Sequence, residues 1–177
     1  VPSDIIEAIL GIAERIFVIV NCHKVGLQPT GSQDPYALRR AARCINEIIW
    51  GVDLDVDIAD LISQAGQNFE VPEKILEQSR SFFEQRLHVQ LKEKGYEHDL
   101  VTLAISVVGR KPFQALHFLN VVNKVKNEEW FVDLVTAAVR VRNILSKAEE
   151  YSKDIAQELF QKNVENELFI EMNEMTP

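Results

Sequence analysis

Residues that could bind or position a ligand are densest in the run Gly26-Leu27-Gln28-Pro29-Thr30-Gly31-Ser32-Gln33-Asp34-Pro35-Tyr36-Ala37-Leu38-Arg39-Arg40. Gly26 and Gly31 have the spacing of a phosphate-cradling loop, but that motif requires a lysine where Ser32 stands. Without the lysine, the backbone amides lack the charge that phosphate binding draws on. Two readings remain. In one the run is a constrained structural turn: Pro29 fixes a backbone angle, Gly31 permits a positive φ, and Thr30 and Ser32 can bond neighbouring amides. Arg39, Arg40 and Arg43 are then solvated charges. In the other, loop and arginines together face RNA, where basic side chains meet phosphate.

A second basic set lies further along. Arg140, Asn143 and Lys147 recur three and four apart, with Arg142 between them, so one helix side could meet a strip of phosphates or equally be a solvated face. The remaining constellations are weaker. His98-Asp99 is the ligand pair of metal-dependent phosphohydrolases, which also need an upstream histidine and a downstream aspartate on converging helices. His23 or His88 and Asp133 are nominees, but no spacing requires them to converge, and Asp99 suits a helix N-cap. Asp53, Asp55 and Asp57 alternate like calcium ligands, yet the loop lacks the glycine at its sixth position and the glutamate at its twelfth. Cys22 and Cys44 form no C-x-x-C pair, which fits a reducing compartment and no zinc site. The sequence therefore offers no catalytic residue and no metal site.

The elements that must position these groups all read as helices. Asp4 can cap a helix reaching about Val20, with Ile5, Ile9, Ile12, Ile16 and Ile19 as its buried stripe. Asp34 as N-cap and Pro35 at the first helical position predict a second helix to about Ile49, ending at Gly51. Leu38, Ala41, Ile45 and Ile48 give that helix its buried face, and Glu47 stands four residues after Arg43 as an intrahelical partner. Asp55 or Asp57 starts a short helix through Ile58, Leu61 and Ile62 to around Gly66. Pro72 opens the longest helix, which carries Ile75, Leu76, Phe82, Phe83, Leu87 and Leu91 and ends near Lys94 before Gly95.

Asp99 caps the next helix. Gly109-Arg110-Lys111-Pro112 leads into another through Phe113, Leu116, Leu119 and Val122, with Lys124 and Lys126 at its negative end and His117 packed or half-exposed along it. A further helix runs from about Glu128 through Trp130 to Leu145, and the acidic tail from Ala148 stays helix-compatible through Ile155, Leu159, Val164, Leu168 and Met172. The period is near 3.6 throughout and no alternating strand is convincing, so the fold class is all-α.

The 177 residues, 46% hydrophobic, can bury one good core or two small ones. No apolar run is long enough to span a bilayer, and no signal peptide is visible, although the opening Val1-Pro2-Ser3 also suits a chain cut from a longer one. The net charge of −8 argues against bulk electrostatic gripping of nucleic acid. It is spread unevenly: residues 1–51 are neutral, 52–95 carry −4, 96–147 carry +2 and 148–177 carry −6. Any RNA contact is therefore expected to be local.

The 26–40 run resembles the Gly-Leu-x-Pro-Thr-Gly-Ser-x-Asp-Pro-[Phe/Tyr]-Ala-Leu-Arg-Arg signature of the beta subunit of bacterial two-subunit glycyl-tRNA synthetases, at every fixed position. The ending Val141-Arg142-Asn143-Ile144-Leu145 is similar to the same subunit and, more loosely, to the helical anticodon-binding domain shared with arginyl-tRNA synthetase. Ala13-Glu14-Arg15-Ile16-Phe17 stands where the family has an Ala-Asp-Lys-Leu-Asp-like run of an HD-type helical domain, with Phe17 in place of a carboxylate.

The resemblance implies a helical array: the end of an HD-like domain at 1–51, a connecting helical region at 52–95, and a shortened anticodon-binding-like domain at 96–177. It implies a tRNA-binding part of an enzyme that uses ATP and Mg to attach glycine to tRNA(Gly). The adenylation site would lie on a separate alpha subunit, the holoenzyme would hold two alpha and two beta chains, and the location would be cytoplasmic. This part itself would hold no cofactor. Arg39, Arg40, Arg43, Arg140, Arg142, Asn143 and Lys147 are the candidate tRNA contacts, and Pro29, Thr30, Gly31, Ser32, Asp34 and Pro35 form the signature loop. An HD-type phosphohydrolase fragment and a helical protein-interaction module are the alternatives.

Overall fold

The structure, a computed structural model, describes residues 2, 4–31, 33–146, 155 and 157–175. Ser32 and Lys147 lie outside them. The described residues are all-α, the one extended feature being an isolated bridge between Thr30 and Gln33. They divide into two compact units, Val1–Asn127 and Glu128–Pro177.

The first unit holds six helices. α1 (Ile5–Lys24) is capped by Asp4, whose carboxylate accepts from the amides of Ile6 at 2.8 Å and Glu7 at 2.9 Å. Its buried stripe is Ala8, Ile12, Ile16, Ile19, Val20 and His23, so the helix runs a turn past Val20. Ile5 and Ile9 share that face by spacing but are 47% and 55% exposed, while Ala8 between them is fully buried.

α2 (Leu38–Gly51) starts three residues later than Asp34 and Pro35 suggest. The cause is Ala37, whose φ of 53° turns the chain just before the helix. Ala42 takes the fully buried position, and Ala41 is only partly buried. α3 (Ile58–Asn68) is capped by Asp57, which accepts from Ala59 N at 2.7 Å. Asp55 is engaged elsewhere, accepting from Gln114 Nε2, so two of the three alternating aspartates have structural partners.

α4 (Glu73–Glu93) begins after Pro72 and ends before Gly95, as the Pro and Gly punctuation predicts. α5 (His98–Val108) has Glu97 rather than Asp99 at its N-cap. Asp99 falls inside the first turn, where its charge still suits the helix dipole. α6 (Pro112–Val125) has Pro112 in its first turn.

Two apolar clusters share α4. Leu76 and Phe83 join Ile12, Ile16, Ile19, Ile45, Ile49 and Ile62 in one core. A turn further on, Leu87 and Leu91 join Val101, Ala104, Ala115 and Leu119 in the other. Each fully buried aliphatic side chain contributes about 1.5–3 kcal/mol relative to exposure, before entropy is counted. A polar seam joins α2 and α4: Asn46 Nδ2 donates to Gln90 Oε1 at 3.0 Å, and Gln90 Nε2 donates to Glu47 Oε1 at 2.7 Å. Helices from 1–51 and from 52–95 thus share one core.

The second unit holds α7 (Glu129–Leu145), a 3-10 turn at Gln157–Leu159 and α8 (Asn163–Met175). Not one residue of α7 is buried. In the first turn of α8, the Glu165 carboxylate accepts from the amides of Lys162 and Gln161, which hold it below the ordinary carboxylate range. The tail is thus helical from Asn163, with Ile155 outside regular structure, and 148–154 lie outside the described residues.

Candidate nucleic-acid interface

The loop grows out of the end of α1. Gly26, at φ 78°, donates its N–H to His23 O at 3.0 Å, and Leu27 N donates to Cys22 O at 2.8 Å. This paired closure caps the last carbonyls of α1 and turns the chain away from the helix axis. Thr30 and Gln33 then exchange both backbone hydrogen bonds, at 3.1 and 2.8 Å, closing a tight turn over Gly31, whose φ is 52°. A side chain at Gly31 would be strained by that angle.

Asp34 fastens the far end. Its two carboxylate oxygens accept from Leu38 N at 2.8 Å and Arg39 N at 2.9 Å, so it caps α2 from outside the helix across the turn that Ala37 makes. The Asp34 carbonyl also accepts from Ala37 N at 3.1 Å. Pro35 sits in this turn, where its fixed φ is favoured. The capping role read from the sequence is therefore correct in its residue and wrong in its register.

The arginines differ in what they do. Arg39, half-buried, donates from Nη2 to the Gly31 carbonyl at 2.7 Å and so clamps the loop onto α2. Arg43 does not pair with Glu47 along its own helix. It reaches Glu93 of α4 at 2.5 Å, while Glu47 is taken by Gln90 and, at 3.9 Å, by Lys94. Arg40 is exposed and has no side-chain partner among the described residues. Gln28 Nε2 bonds Gln78 Oε1 at 2.9 Å, tying the loop to α4 as well.

Beneath the loop lies a group that the sequence reading passed over except as a nominal metal ligand. His23 is 2% exposed, its Nδ1 stands 2.8 Å from Ser79 Oγ, and its ring meets Phe82 edge-on at 5.2 Å. Burial pushes its imidazole below the ordinary value of 6.5. A signal was present in the sequence: His23 continues the Ile12, Ile16, Ile19 spacing by four.

The other histidines lie apart from this place. His88 and His98 touch edge-on at 4.9 Å, and His88 approaches Thr102 at 3.3 Å. Burial first, then His98 and Lys92, lower the His88 pKa. His117 is exposed and stacks on Phe113 at 6.4 Å. Among the described residues no three His, Cys, Asp or Glu side chains gather so as to hold a metal ion.

In the second unit, Arg140, Arg142 and Asn143 all lie exposed on α7, and their side chains have no partner among the described residues. Their neighbours Val139, Val141 and Ile144 are exposed too.

Fold and site together define an all-helical chain organised around a clamped polar loop and an adjoining arginine-bearing helix. A family model described as the glycyl-tRNA synthetase beta subunit matches residues 1–106. The glycine–tRNA ligase beta subunit of Halalkalibacterium halodurans is 34% identical over 176 residues, which covers 95% of this chain and 25% of that protein. The corresponding subunit of Shewanella woodyi is 32% identical over 185 residues, covering 100% of this chain and 26% of the relative. That of Gloeothece citriformis reaches 39% over 109 residues. This chain belongs to the glycyl-tRNA synthetase beta subunit family. It spans about a quarter of the length of the relatives it matches.

Proposed function

We propose that this chain is a tRNA-binding part of a glycine–tRNA ligase beta subunit, supporting the ATP-dependent attachment of glycine to tRNA(Gly). In this reading the adenylation site, with its ATP and Mg, sits on a separate alpha subunit of an assembly of two alpha and two beta chains in the cytoplasm. This chain binds neither cofactor. The observation that carries the reading is the 26–40 loop, matched to the family signature and fastened by hydrogen bonds at both ends. Its contribution to rate would be orientation of the tRNA, which needs no acid, base or nucleophile here.

Residues 1–51 are read as the end of an HD-like domain, 52–95 as a connecting region, and 96–177 as an anticodon-binding-like domain. Among the described residues no helix is long and apolar enough to cross a membrane. Arg40, Arg140 and Arg142 are the arginines best placed to take phosphate, since no protein group among the described residues occupies them; Asn143 stands beside the last two. Lys147 remains a candidate on sequence grounds. Arg39 and Arg43 would act mainly by holding the loop and α2 in place.

A second reading, a helical module that binds another protein chain, is favoured by α7, whose Trp130, Leu134 and Ile144 are all more than half exposed. A titration of the chain with tRNA(Gly) and a non-cognate tRNA at two salt concentrations separates the two. Preference for tRNA(Gly) that persists at the higher salt supports tRNA recognition, because attraction to the backbone alone is neither selective nor salt-resistant. Binding of neither tRNA, together with binding to the alpha subunit, supports the protein module.

A further inference from the structure

α4 sorts its charges in a way that its composition conceals. Each of its acids is held by an arginine: Glu73 and Glu77 by Arg80 at 2.5 and 3.1 Å, Glu77 and Glu84 by Arg110 at 3.3 and 3.1 Å, and Glu93 by Arg43 at 2.5 Å. Arg86 lies against the Phe82 ring, 6.0 Å from its centroid. The two lysines of the helix, Lys74 and Lys92, are exposed and have no carboxylate partner among the described residues.

Both lysines stand on one stripe. Lys74, Gln78, Ser81, Gln85, His88 and Lys92 follow one another by alternate steps of four and three, which keeps them on one face of a helix. Leu76, Phe83, Leu87 and Leu91 are buried on the opposite face. His88 is half-buried and the other five are exposed. From Lys74 to Lys92 the row runs about 27 Å at 1.5 Å per residue. It contains no carboxylate, although the chain as a whole carries a net charge of −8.

The row is the floor of a groove. A hollow of about 710 Å³, bounded by Gln28 and Pro29 of the signature loop, meets a second of about 560 Å³, bounded by Thr102 and Ser106 of α5. Ser81 and Gln85 line both. The Gln28 to Gln78 hydrogen bond joins the loop to the floor, and Lys92 stands one turn beyond His88. The acids on the groove walls, Glu77 and Glu84, are the ones that Arg80 and Arg110 neutralise.

A partner for this groove must suit cations at both ends and uncharged hydrogen-bonding groups between them. The row holds no aliphatic side chain, so it lacks the apolar anchors on which a protein interface is centred. Lysine, amide and hydroxyl groups in a line are instead the groups that meet phosphate oxygens and ribose. We propose that the Lys74 to Lys92 face of α4 is a track for the sugar-phosphate backbone of bound RNA, with the two lysines on separate phosphates and Gln78, Ser81 and Gln85 bonding the stretch between. The inference rests on the tRNA-binding reading and gives the signature loop a specific task, that of walling one side of the track.

The test is a titration of the 177-residue chain with a tRNA(Gly) transcript over a series of salt concentrations. Lys74→Ala and Lys92→Ala should each weaken binding about threefold at low salt. Each should also lower the slope of log affinity against log salt by about one. The two positions lie further apart than the screening length, so the double variant should lower it by about two. Lys124→Ala, an equal change of charge at an exposed site on α6, should bind as the parent does. Lys74→Arg and Lys92→Arg keep the charge and should bind as the parent does, and all these variants should keep its helical content.

The proposal is overturned if Lys74→Ala and Lys92→Ala bind tRNA as Lys124→Ala does, or if the arginine variants lose as much as the alanine ones. It is also overturned if the alanine variants lose binding to the alpha subunit and keep the parent's tRNA affinity, which would assign the track to an acidic protein surface. In each of these cases RNA still binds and the tRNA reading stands. If the parent chain binds no RNA at all, both fall together.

Discussion

The two helices that carry the candidate contact arginines, α2 and α7, are opposite in circumstance. α2 is buried along one face by Leu38, Ala42, Ile45 and Ile49, and two of its three arginines are spent on the structure, Arg39 on the Gly31 carbonyl and Arg43 on Glu93. α7 has no buried residue, and Arg140 and Arg142 are both unengaged among the described residues. The difference teaches that a basic residue marks a possible contact only after its local partners are known. A cluster that looks like a binding patch in the sequence can be a set of fasteners. A pair that looks like a solvated face can be the freer cations.

The widest gap between the regions should appear in stability. Ile45→Ala empties a fully buried position of α2 and should cost about 2–5 kcal/mol, whereas Leu134→Ala on α7, 57% exposed, should stay within about 0.5 kcal/mol. Urea unfolding followed by circular dichroism measures both, and equal losses would erase the contrast.

Gly66→Ala probes packing inside the first unit. Its new Cβ would sit 2.5 Å from Leu76 Cδ1, and the overpacking should cost about 1–3 kcal/mol in the same assay. Asp34→Ala removes the carboxylate that caps α2 across the turn, at a cost of about 0.5–2 kcal/mol. A value near zero would mean that the loop does not depend on that carboxylate.

Acid sharpens the comparison further. His23 is pushed down by burial, so on acidification the unfolded chain takes up the proton first. The stability linked to His23 is then full above the unfolded value of about 6.5 and lost as pH falls from there toward the folded pKa. His88 contributes in the same direction. Melting curves across this range should show the loss in the first unit, and His23→Asn should flatten part of it. A parent chain whose melting is independent of pH between neutrality and pH 5 would contradict the buried, neutral assignment.

The smallest effect on stability belongs to Arg40→Ala, which removes no contact within the described structure. It should leave the melting temperature unchanged, weaken tRNA binding, and lower the dependence of affinity on salt by about one phosphate contact. Arg39→Ala should instead loosen the loop. The two variants thus part on stability even if both weaken binding.

How far the sequence could be read follows from the same contrast. Helix identity was legible because apolar spacing and the caps at Asp4 and Asp57 are local, as are the punctuation marks at Pro72 and Gly95. The register of α2 was not, because it turns on Ala37 adopting a positive φ, which alanine gives no reason to expect. Asp99 looked like a cap for the same local reasons as Asp57, but the chain enters α5 two residues earlier than that reading allows.

Ile5 and Ile9 fit the stripe of α1 in spacing, and only the packing of neighbouring helices decides which of its positions are covered. At the candidate site the signature loop was legible as a constrained turn. The engagement of Arg39 and Arg43 was not, since their partners lie across a turn and on another helix. His23 was half legible: its place on the apolar stripe was visible, while its partner on α4, Ser79, was not.

The most direct test of the account is amide hydrogen exchange of the whole chain with and without saturating tRNA(Gly). The account predicts added protection in the 26–40 loop, in the facing stretch of α4 at 74–85 and along α7, with α6 unchanged. Protection absent from all three, or confined to α3 and α6, would contradict it.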